Sequence, residues 1–255
     1  MSLLQTRHVT HYFDGLAAVT DFNLNLEPNE LVGVIGPNGA GKTTVFNLIT
    51  GVYRATSGSI LFEGTEIVGE TPSLITSLGI ARTFQNIRLF KELTVLDNVR
   101  IAHYARVSYS PVEALLHMGR FRREEEDIIG HSMDLLASLK LEAYADELSK
   151  NLPYGLQRRL EIARALATRP KLLLLDEPAA GMNPNEVTQI MEFIRWIRKE
   201  FNLTILLIEH QMHLVMNICE RLVVLDFGET IATGLPKEIQ NNPHVLEIYL
   251  GEVQC

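Results

Sequence analysis

The feature that most constrains this chain is the stretch GPNGAGKT at residues 36–43. It has the spacing G-x-x-x-x-G-K-[ST], in which glycines allow backbone N–H groups to approach phosphate oxygens closely. An apolar run precedes it at 31–35, and a predicted helix at 44–50 would add its N-terminal dipole to the attraction for an anion. The stretch therefore predicts a loop that binds nucleotide phosphates. The residues expected to contact the nucleotide are Gly36, Pro37, Asn38, Gly39, Ala40, Gly41, Lys42, Thr43 and Thr44.

Within this loop the last residues have separate roles. Lys42 is expected to reach the β- and γ-phosphates, and the Thr43 hydroxyl is expected to bind Mg²⁺. The alternative is a glycine-rich loop with a surface lysine, but the strand before the loop and the helix after it favour the phosphate-binding interpretation.

The composition is that of an ordinary globular protein. The chain has 255 residues, enough for one large α/β domain or a domain with a subdomain, and its net charge of -8 argues against a dedicated nucleic-acid binder. No apolar run reaches the roughly 18 residues of a membrane span, and the N-terminus lacks the pattern of a signal segment. Cys219 and Cys255 are too few for a disulfide framework. We therefore expect free thiols in a reducing, cytoplasmic compartment.

The apolar pattern predicts strands and helices in alternation at both ends of the chain. Unbroken apolar runs at 172–175 and 203–208 predict parallel strands covered on both faces, and the segment 186–201 between them has helical spacing. Residues 222–232 predict a hairpin about Phe227-Gly228, followed by two short helices. Residues 92–150 are rich in Glu, Arg, Leu and Ala, which favours a helical subdomain.

Two acidic residues follow the apolar run 172–175. A carboxylate at the end of a buried strand can hold Mg²⁺ through its water shell, which is the role predicted for Asp176. Glu177 is the predicted general base that polarises the attacking water, a role that typically contributes ~10²–10⁴ in rate. The alternative is a strand-to-loop turn with two solvated acids.

Three further features are weak signals when each is taken alone. His210 follows the strand at 203–208, where it could donate to a γ-phosphate oxygen or hold the base and the water. The amide of Gln85 could bind Mg²⁺ through its oxygen and reach the water through its NH₂ group. Residues 152–166 predict a tight turn and a helix whose N-terminus can face an anion, although alone they would suit an ordinary basic amphipathic helix.

In this order, these elements resemble the ATP-binding subunit of ABC transporters over nearly the whole chain. Residues 36–43 are similar to the Walker A motif, 172–177 to Walker B, 152–156 to the signature motif and 180–183 to the D-loop. Gln85 matches the Q-loop and His210 the switch histidine, while Phe13, with Tyr12 beside it, occupies the position of an adenine-stacking aromatic.

The resemblance implies an α/β fold, a P-loop NTPase of ABC ATPase type. The sheet would be mainly parallel and covered by helices, with an antiparallel N-terminal β part and a helical subdomain. It further implies one ABC ATPase domain over 1–255, made of an N-terminal β and Walker A part at 1–91, a helical subdomain with the signature at 92–165, and a part at 166–255 with Walker B and the switch histidine.

The resemblance also implies partners. Two ATPase subunits, identical or paralogous, would close around two ATP molecules with Mg²⁺, and each site would use the partner's signature residues, here Tyr154, Gly155 and Leu156. Closure would drive two membrane permease subunits at the cytoplasmic face of the membrane, supplied indirectly by a periplasmic solute-binding protein. No nucleic acid is expected as a partner.

A closer resemblance is to the larger ATPase of branched-chain amino-acid importers. It rests on the runs at 82–85, 155–164, 176–184 and 249–252, and on a longer helical segment at 107–126. ATPases of lipopolysaccharide export and of urea uptake share much of this pattern and stay open as alternatives. A soluble ABC ATPase that acts on nucleic acid or ribosomes, and a P-loop kinase, are less favoured.

The signature departs from the family pattern. The usual Leu-Ser-Gly-Gly-Gln is Leu-Pro-Tyr-Gly-Leu at 152–156, and Pro153 has neither a hydroxyl nor a backbone N–H to donate. Asn183 also replaces the usual D-loop aspartate. These departures predict an asymmetric pair, in which this subunit's own Walker site is active while its signature supports the partner's site less well.

Overall fold

The computed structural model describes residues 2–104, 113 and 119–251. The chain forms two compact units, Met1–Gln85 with Lys171–Cys255, and Asn86–Pro170. Most of the helical segment expected at 107–126 lies outside the described residues, which include only 113 and 119–126 of it. No helix in the described ranges is long and apolar enough to cross a membrane.

The first unit contains two sheets. Their strands are β1 (Leu4–Phe13), β2 (Leu16–Leu26), β3 (Leu31–Ile35), β4 (Ser57–Phe62), β5 (Thr65–Glu66), β6 (Ile80–Arg82), β7 (Leu172–Asp176), β8 (Thr204–Ile208), β9 (Arg221–Asp226) and β10 (Glu229–Gly234). Its helices are α1 (Lys42–Ile49), α2 (Pro72–Leu78), α6 (Pro184–Glu200), α7 (Met212–Ile218), α8 (Pro236–Gln240) and α9 (Pro243–Gly251).

The larger sheet has the order β10-β9-β3-β8-β7-β6, and its strands are parallel except for β10. Every residue of β3, β7 and β8 is buried, which explains why these strands have no polar alternation. Because parallel strands end at one edge of a sheet, the loops that follow β3, β7 and β8 lie at that edge. The phosphate loop, Glu177 and His210 are in these three loops.

The smaller sheet is antiparallel, with the order β2-β1-β4-β5. Its inner face joins one hydrophobic core with the larger sheet and α1, through residues such as Phe22, Phe46 and Leu206. Full burial of each such side chain stabilises the fold by roughly 1.5–3 kcal/mol. This core holds α1, and therefore the phosphate loop before it, against the larger sheet.

Asn183, which the sequence marks as a departure from the family, begins α6. Its side chain accepts hydrogen bonds from the Asn185 and Glu186 amides at 3.0 and 3.1 Å, while Glu186 accepts from the Asn183 amide. With Pro184 at the first helical position, this arrangement is a capping box. The cap starts the helix two residues before the predicted start at 186.

The second unit is helical. It consists of α3 (Val95–His103), α4 (Gly119–Ser138), α5 (Tyr154–Ala167) and short 3₁₀ turns at Glu142–Tyr144 and Ser149–Asn151. Thr94 caps α3 by accepting from the Asp97 amide at 3.0 Å. The side chain of Asn98, which is fully buried, donates to the carbonyls of Phe90 and Thr94 at 3.1 and 2.9 Å, so α3 holds the segment before it.

Candidate functional site

The phosphate loop lies between β3 and α1 and depends on its glycines. Gly36, Gly39 and Gly41 have φ angles of 146°, 81° and 99°, which other residues rarely adopt. A Cβ atom would lie 2.0 Å from the Leu225 carbonyl oxygen at Gly36 and 2.5 Å from the Ala18 carbonyl oxygen at Gly41. The loop is therefore packed against neighbouring backbone at both ends, as a close backbone cradle for phosphates requires.

Lys42 places a buried positive charge at this loop. Its Nζ atom donates to the carbonyl oxygens of Gly36 and Pro37, both at 2.7 Å, so the side chain curls back over the loop. Because α1 begins at Lys42, the positive end of the helix dipole points to the same place. A backbone cradle, a buried ammonium and a helix N-terminus together fit a polyphosphate.

Asp176, the last residue of β7, is buried and paired. Arg82 Nη2 donates to Asp176 Oδ2 at 2.7 Å, and both side chains are only 6% exposed. Arg82 also donates to Asn47 Oδ1 at 2.6 Å, and its guanidinium lies over the rings of Phe46 and Phe84. The role of Arg82 was not predicted from the sequence. The signal that could have indicated this role is a single arginine at the end of an apolar strand, three residues before Gln85.

The oxygen donors expected for Mg²⁺ suit that ion chemically. Thr43 is the second residue of α1, Asp176 ends β7, and Gln85 follows β6 by three residues. Carboxylate, hydroxyl and amide oxygens are the hard ligands that Mg²⁺ takes.

Gln85, Glu177 and His210 come together at one carboxylate oxygen. Gln85 Nε2 donates to Glu177 Oε2 at 2.8 Å, and His210 Nδ1 lies 3.6 Å from the same oxygen. Glu177 is 15% exposed and His210 is 54% exposed, so the pair is reachable from solvent. Glu177 has a φ of 45°, an uncommon value for a residue other than glycine, Asn or Asp. A carboxylate held by an amide donor and flanked by an imidazole can accept a proton from water.

Phe13 and Tyr12 lie at the end of β1. Phe13 is 41% exposed, and its ring meets those of His11 and Tyr53 edge to face, with centroids 4.6 and 5.1 Å apart. Tyr12 is 45% exposed. Each of the two residues therefore keeps ring surface available to a ligand.

The signature residues lie in the second unit, at the start of α5. Pro153 precedes the helix, and its carbonyl accepts from the amides of Leu156 and Gln157 at 2.9 and 3.0 Å. The Leu156 amide is therefore used within the first turn of the helix. Tyr154 and Gly155 are the first two helical residues, and Tyr154 is 44% exposed.

Comparisons with known proteins agree on one family. Residues 19–180 match the family model described as ABC transporter, and residues 229–254 match the one described as branched-chain amino acid ATP-binding cassette transporter. The chain is 45% identical, over 98% of both chains, to the high-affinity branched-chain amino acid transport ATP-binding protein LivG of Escherichia coli K12. It is 44% identical, over 98% of both chains, to BraF of Pseudomonas aeruginosa, which has the same description. Among solved structures, the ADP conformation of MJ1267, an ATP-binding cassette of an ABC transporter, is similar with a TM-score of 0.86 and 33% identity, over 98% of this chain and 99% of that one.

Proposed function

Because this chain belongs to the ABC transporter family, we propose that it is an ATP-hydrolysing subunit that drives the import of branched-chain amino acids across a membrane. Relatives that align over 98% of the chain are named for this transport. The match of residues 229–254 to the branched-chain family model favours this substrate class over lipopolysaccharide or urea.

The observation that supports hydrolysis, rather than nucleotide binding alone, is the group around Glu177. Lys42 and the loop at 36–43 bind the phosphates, and Glu177 accepts a proton from the attacking water. Gln85, which donates to Glu177 Oε2 at 2.8 Å, orients this carboxylate and the water. His210, 3.6 Å from the same oxygen, holds the pair or donates to the γ-phosphate.

Thr43, Asp176 and Gln85 are the residues that would hold Mg²⁺, the proposed cofactor of the reaction. When bound, the ion would supply positive charge that neutralises the phosphates. Phe13 is the proposed contact for the adenine ring, because an exposed aromatic face can stack on a base.

We propose that the chain works with a second ATPase subunit and two membrane permease subunits at the cytoplasmic face of the membrane, with a periplasmic solute-binding protein upstream of them. Tyr154, Gly155 and Leu156 would complete the partner's ATP site. Since Pro153 cannot donate from its backbone and the Leu156 amide donates to Pro153, this signature offers few donors, which supports an asymmetric pair of sites.

The test is reconstitution of the complex, purified in detergent with the subunits that accompany this chain, into liposomes. We expect ATP-dependent uptake of radiolabelled leucine, isoleucine and valine, and loss of uptake with Glu177→Gln in this chain. Steady ATP hydrolysis without uptake of any of the three amino acids would refute the proposed substrate class. Absence of hydrolysis would refute the enzymatic assignment.

A further inference from the structure

The loop after β8 binds one residue of the neighbouring loop from two sides. The Ala179 amide donates to Glu209 Oε1 at 2.9 Å, and Gln211 Nε2 donates to the Ala179 carbonyl oxygen at 3.2 Å. Ala179 is fully buried and lies two residues after Glu177, while Glu209 and Gln211 flank His210. Both polar groups of this one residue are thus held by the two neighbours of the histidine. We call this set of contacts the Ala179 clamp.

Glu209 is a buried residue of the fold. Its side chain is 0% exposed, and its second oxygen accepts from the amides of His210 and Gln211 at 3.1 and 3.3 Å. Burial raises the pKa of this carboxyl, although the hydrogen bonds from backbone amides oppose the shift. A buried carboxyl with these partners fixes both the shape of its own loop and the Ala179 amide.

The clamp lies beside a turn that needs support. The Glu177 amide donates to the Ile208 carbonyl at 2.9 Å, and the Ala180 amide donates back to the Glu177 carbonyl at 3.1 Å. Between these bonds Glu177 holds its φ of 45°. An uncommon backbone conformation persists only when its surroundings fix it. Ile208 anchors the first residue of the turn, and the clamp anchors Ala179 two residues later.

The side chain of Gln211 binds the neighbouring loop and not its own helix. Gln211 immediately precedes α7, and its side chain makes no capping hydrogen bond to the first turn. The side-chain amide of Gln211 donates to the Ala179 carbonyl oxygen, which also accepts from the backbone amide of Met182 at 3.1 Å.

We propose that Glu209 and Gln211 are positioning residues for ATP hydrolysis, which hold the turn bearing Glu177 against the loop bearing His210. His210 Nδ1 lies 3.6 Å from Glu177 Oε2, just beyond hydrogen-bond distance, so a small displacement of either loop changes that contact. The inference rests on the proposed roles of Glu177 and His210. It adds two residues that contact neither water nor phosphate in that mechanism.

The experiment measures ATP hydrolysis by the intact reconstituted complex with Gln211→Met or Glu209→Gln in this chain. Met keeps the length of Gln but cannot donate to Ala179, and Gln at 209 places an NH₂ group among the amides that now donate to the carboxylate. We expect kcat to fall about tenfold, and no further than the roughly 10²-fold that a misplacement of about 1 Å can cost. KM for ATP should stay within about twofold, since the phosphate loop is untouched. Gln189→Met is the matched control. Gln189 is an exposed residue of α6, so this substitution should leave kcat unchanged.

A second comparison separates positioning from a general structural role. In a His210→Ala background, measured by single-turnover phosphate release, Gln211→Met should lower the rate by less than about twofold, because the contact that it positions is gone. An equal tenfold loss in both backgrounds would overturn the proposal. Hydrogen exchange gives an independent readout. Both clamp variants should speed exchange at residues 177–182, and the first unit outside this turn and the loop at 209–211 should be unchanged.

The outcomes distinguish the two proposals. If the unmodified complex hydrolyses ATP while both clamp variants keep its kcat or its slow exchange at 177–182, the clamp inference fails and the proposed function stands. If the unmodified complex does not hydrolyse ATP, the proposed function fails and the inference fails with it.

Discussion

A buried ion pair inside α5 gives a direct test of what holds the second unit together. Arg158 Nη1 donates to Glu161 Oε2 at 2.8 Å, and the two side chains are 0% and 5% exposed. Arg158 also donates to the Tyr154 hydroxyl at 3.3 Å, and the other Glu161 oxygen accepts from the Arg88 amide at 3.2 Å. The perturbation is Arg158→Met, which keeps much of the side-chain volume and removes the charge.

The expected loss follows from burial. Removing one partner of a buried ion pair typically destabilises by about 3–5 kcal/mol, because the other buried charge loses its ion-pair partner. In a chain of this size, one kcal/mol shifts the melting temperature by about 2–4 °C, so we expect a decrease of about 6–20 °C. In Arg158→Met/Glu161→Leu neither charge remains, and part of the loss, about 2 kcal/mol, should be recovered. A residual of about 1–3 kcal/mol should persist because the Arg88 amide still lacks its acceptor.

The assay is thermal unfolding followed by far-UV circular dichroism, because the one tryptophan, Trp196, lies in the other unit. The control is Lys150→Met, which removes a pair with Glu92 that is as short, at 2.6 Å, but 41% and 77% exposed. That control should change stability by about 0–1 kcal/mol. If Arg158→Met melts within about 2 °C of the control, or if the double variant is less stable than Arg158→Met, the reasoning from burial is wrong.

Three further predictions concern the first unit. Glu177→Gln in this chain alone should lower ATP turnover of the complex by about 10²–10⁴ while nucleotide affinity is kept, since the base is lost and the shape is not; turnover above half of the unmodified value would refute the asymmetric pair. Gly36→Ala should abolish nucleotide binding, because its Cβ would lie 2.0 Å from a backbone carbonyl oxygen. The Cβ of Gly39→Ala would meet nothing within 4 Å, so this variant should lose only the roughly 1–2 kcal/mol of conformational energy that a positive φ costs. Isothermal titration with ATP compares the affinities of the two variants. Cys219 is buried, and burial raises the pKa of its thiol. In a Cys255→Ser background the thiol of Cys219 should therefore resist labelling by maleimide at pH 8 until the protein unfolds. Fast labelling of the native protein would contradict this packing.

The sequence was sufficient to predict the strands and helices whose apolar pattern is set by burial. β7 and β8 lie within a residue of the predicted runs at 172–175 and 203–208, because a strand buried on both faces has no polar alternation. α1 begins at Lys42, two residues before the predicted start at 44, because the left-handed Gly41 serves as its N-terminal cap residue. The family is confirmed by the matches over 19–180 and by the relatives, and the α/β fold by the similar cassette structures.

The partners of the predicted site residues were harder to predict. Gln85, Glu177 and His210 could be predicted from their positions after strands. Nothing in their spacing indicates that Gln85 donates to the same carboxylate oxygen that His210 approaches. Arg82 was missed because its role depends on strand order. β6 pairs with β7 in the sheet, so two residues that are 94 apart in the chain form a buried ion pair.

Side chains that bind the backbone are hard to predict from the sequence for a general reason. Glu209 and Gln211 hold the peptide groups of Ala179, and in the other unit Glu161 and Arg164 hold the amide and the carbonyl of Arg88 in the same way. Every residue except proline offers the same N–H and C=O groups, so the bound position has no side-chain signal in the sequence. Residues that act on a ligand are constrained by chemistry and can be recognised from their type and spacing. Residues that act on backbone are constrained only by where the fold brings the two segments together, and their roles become visible once that placement is known.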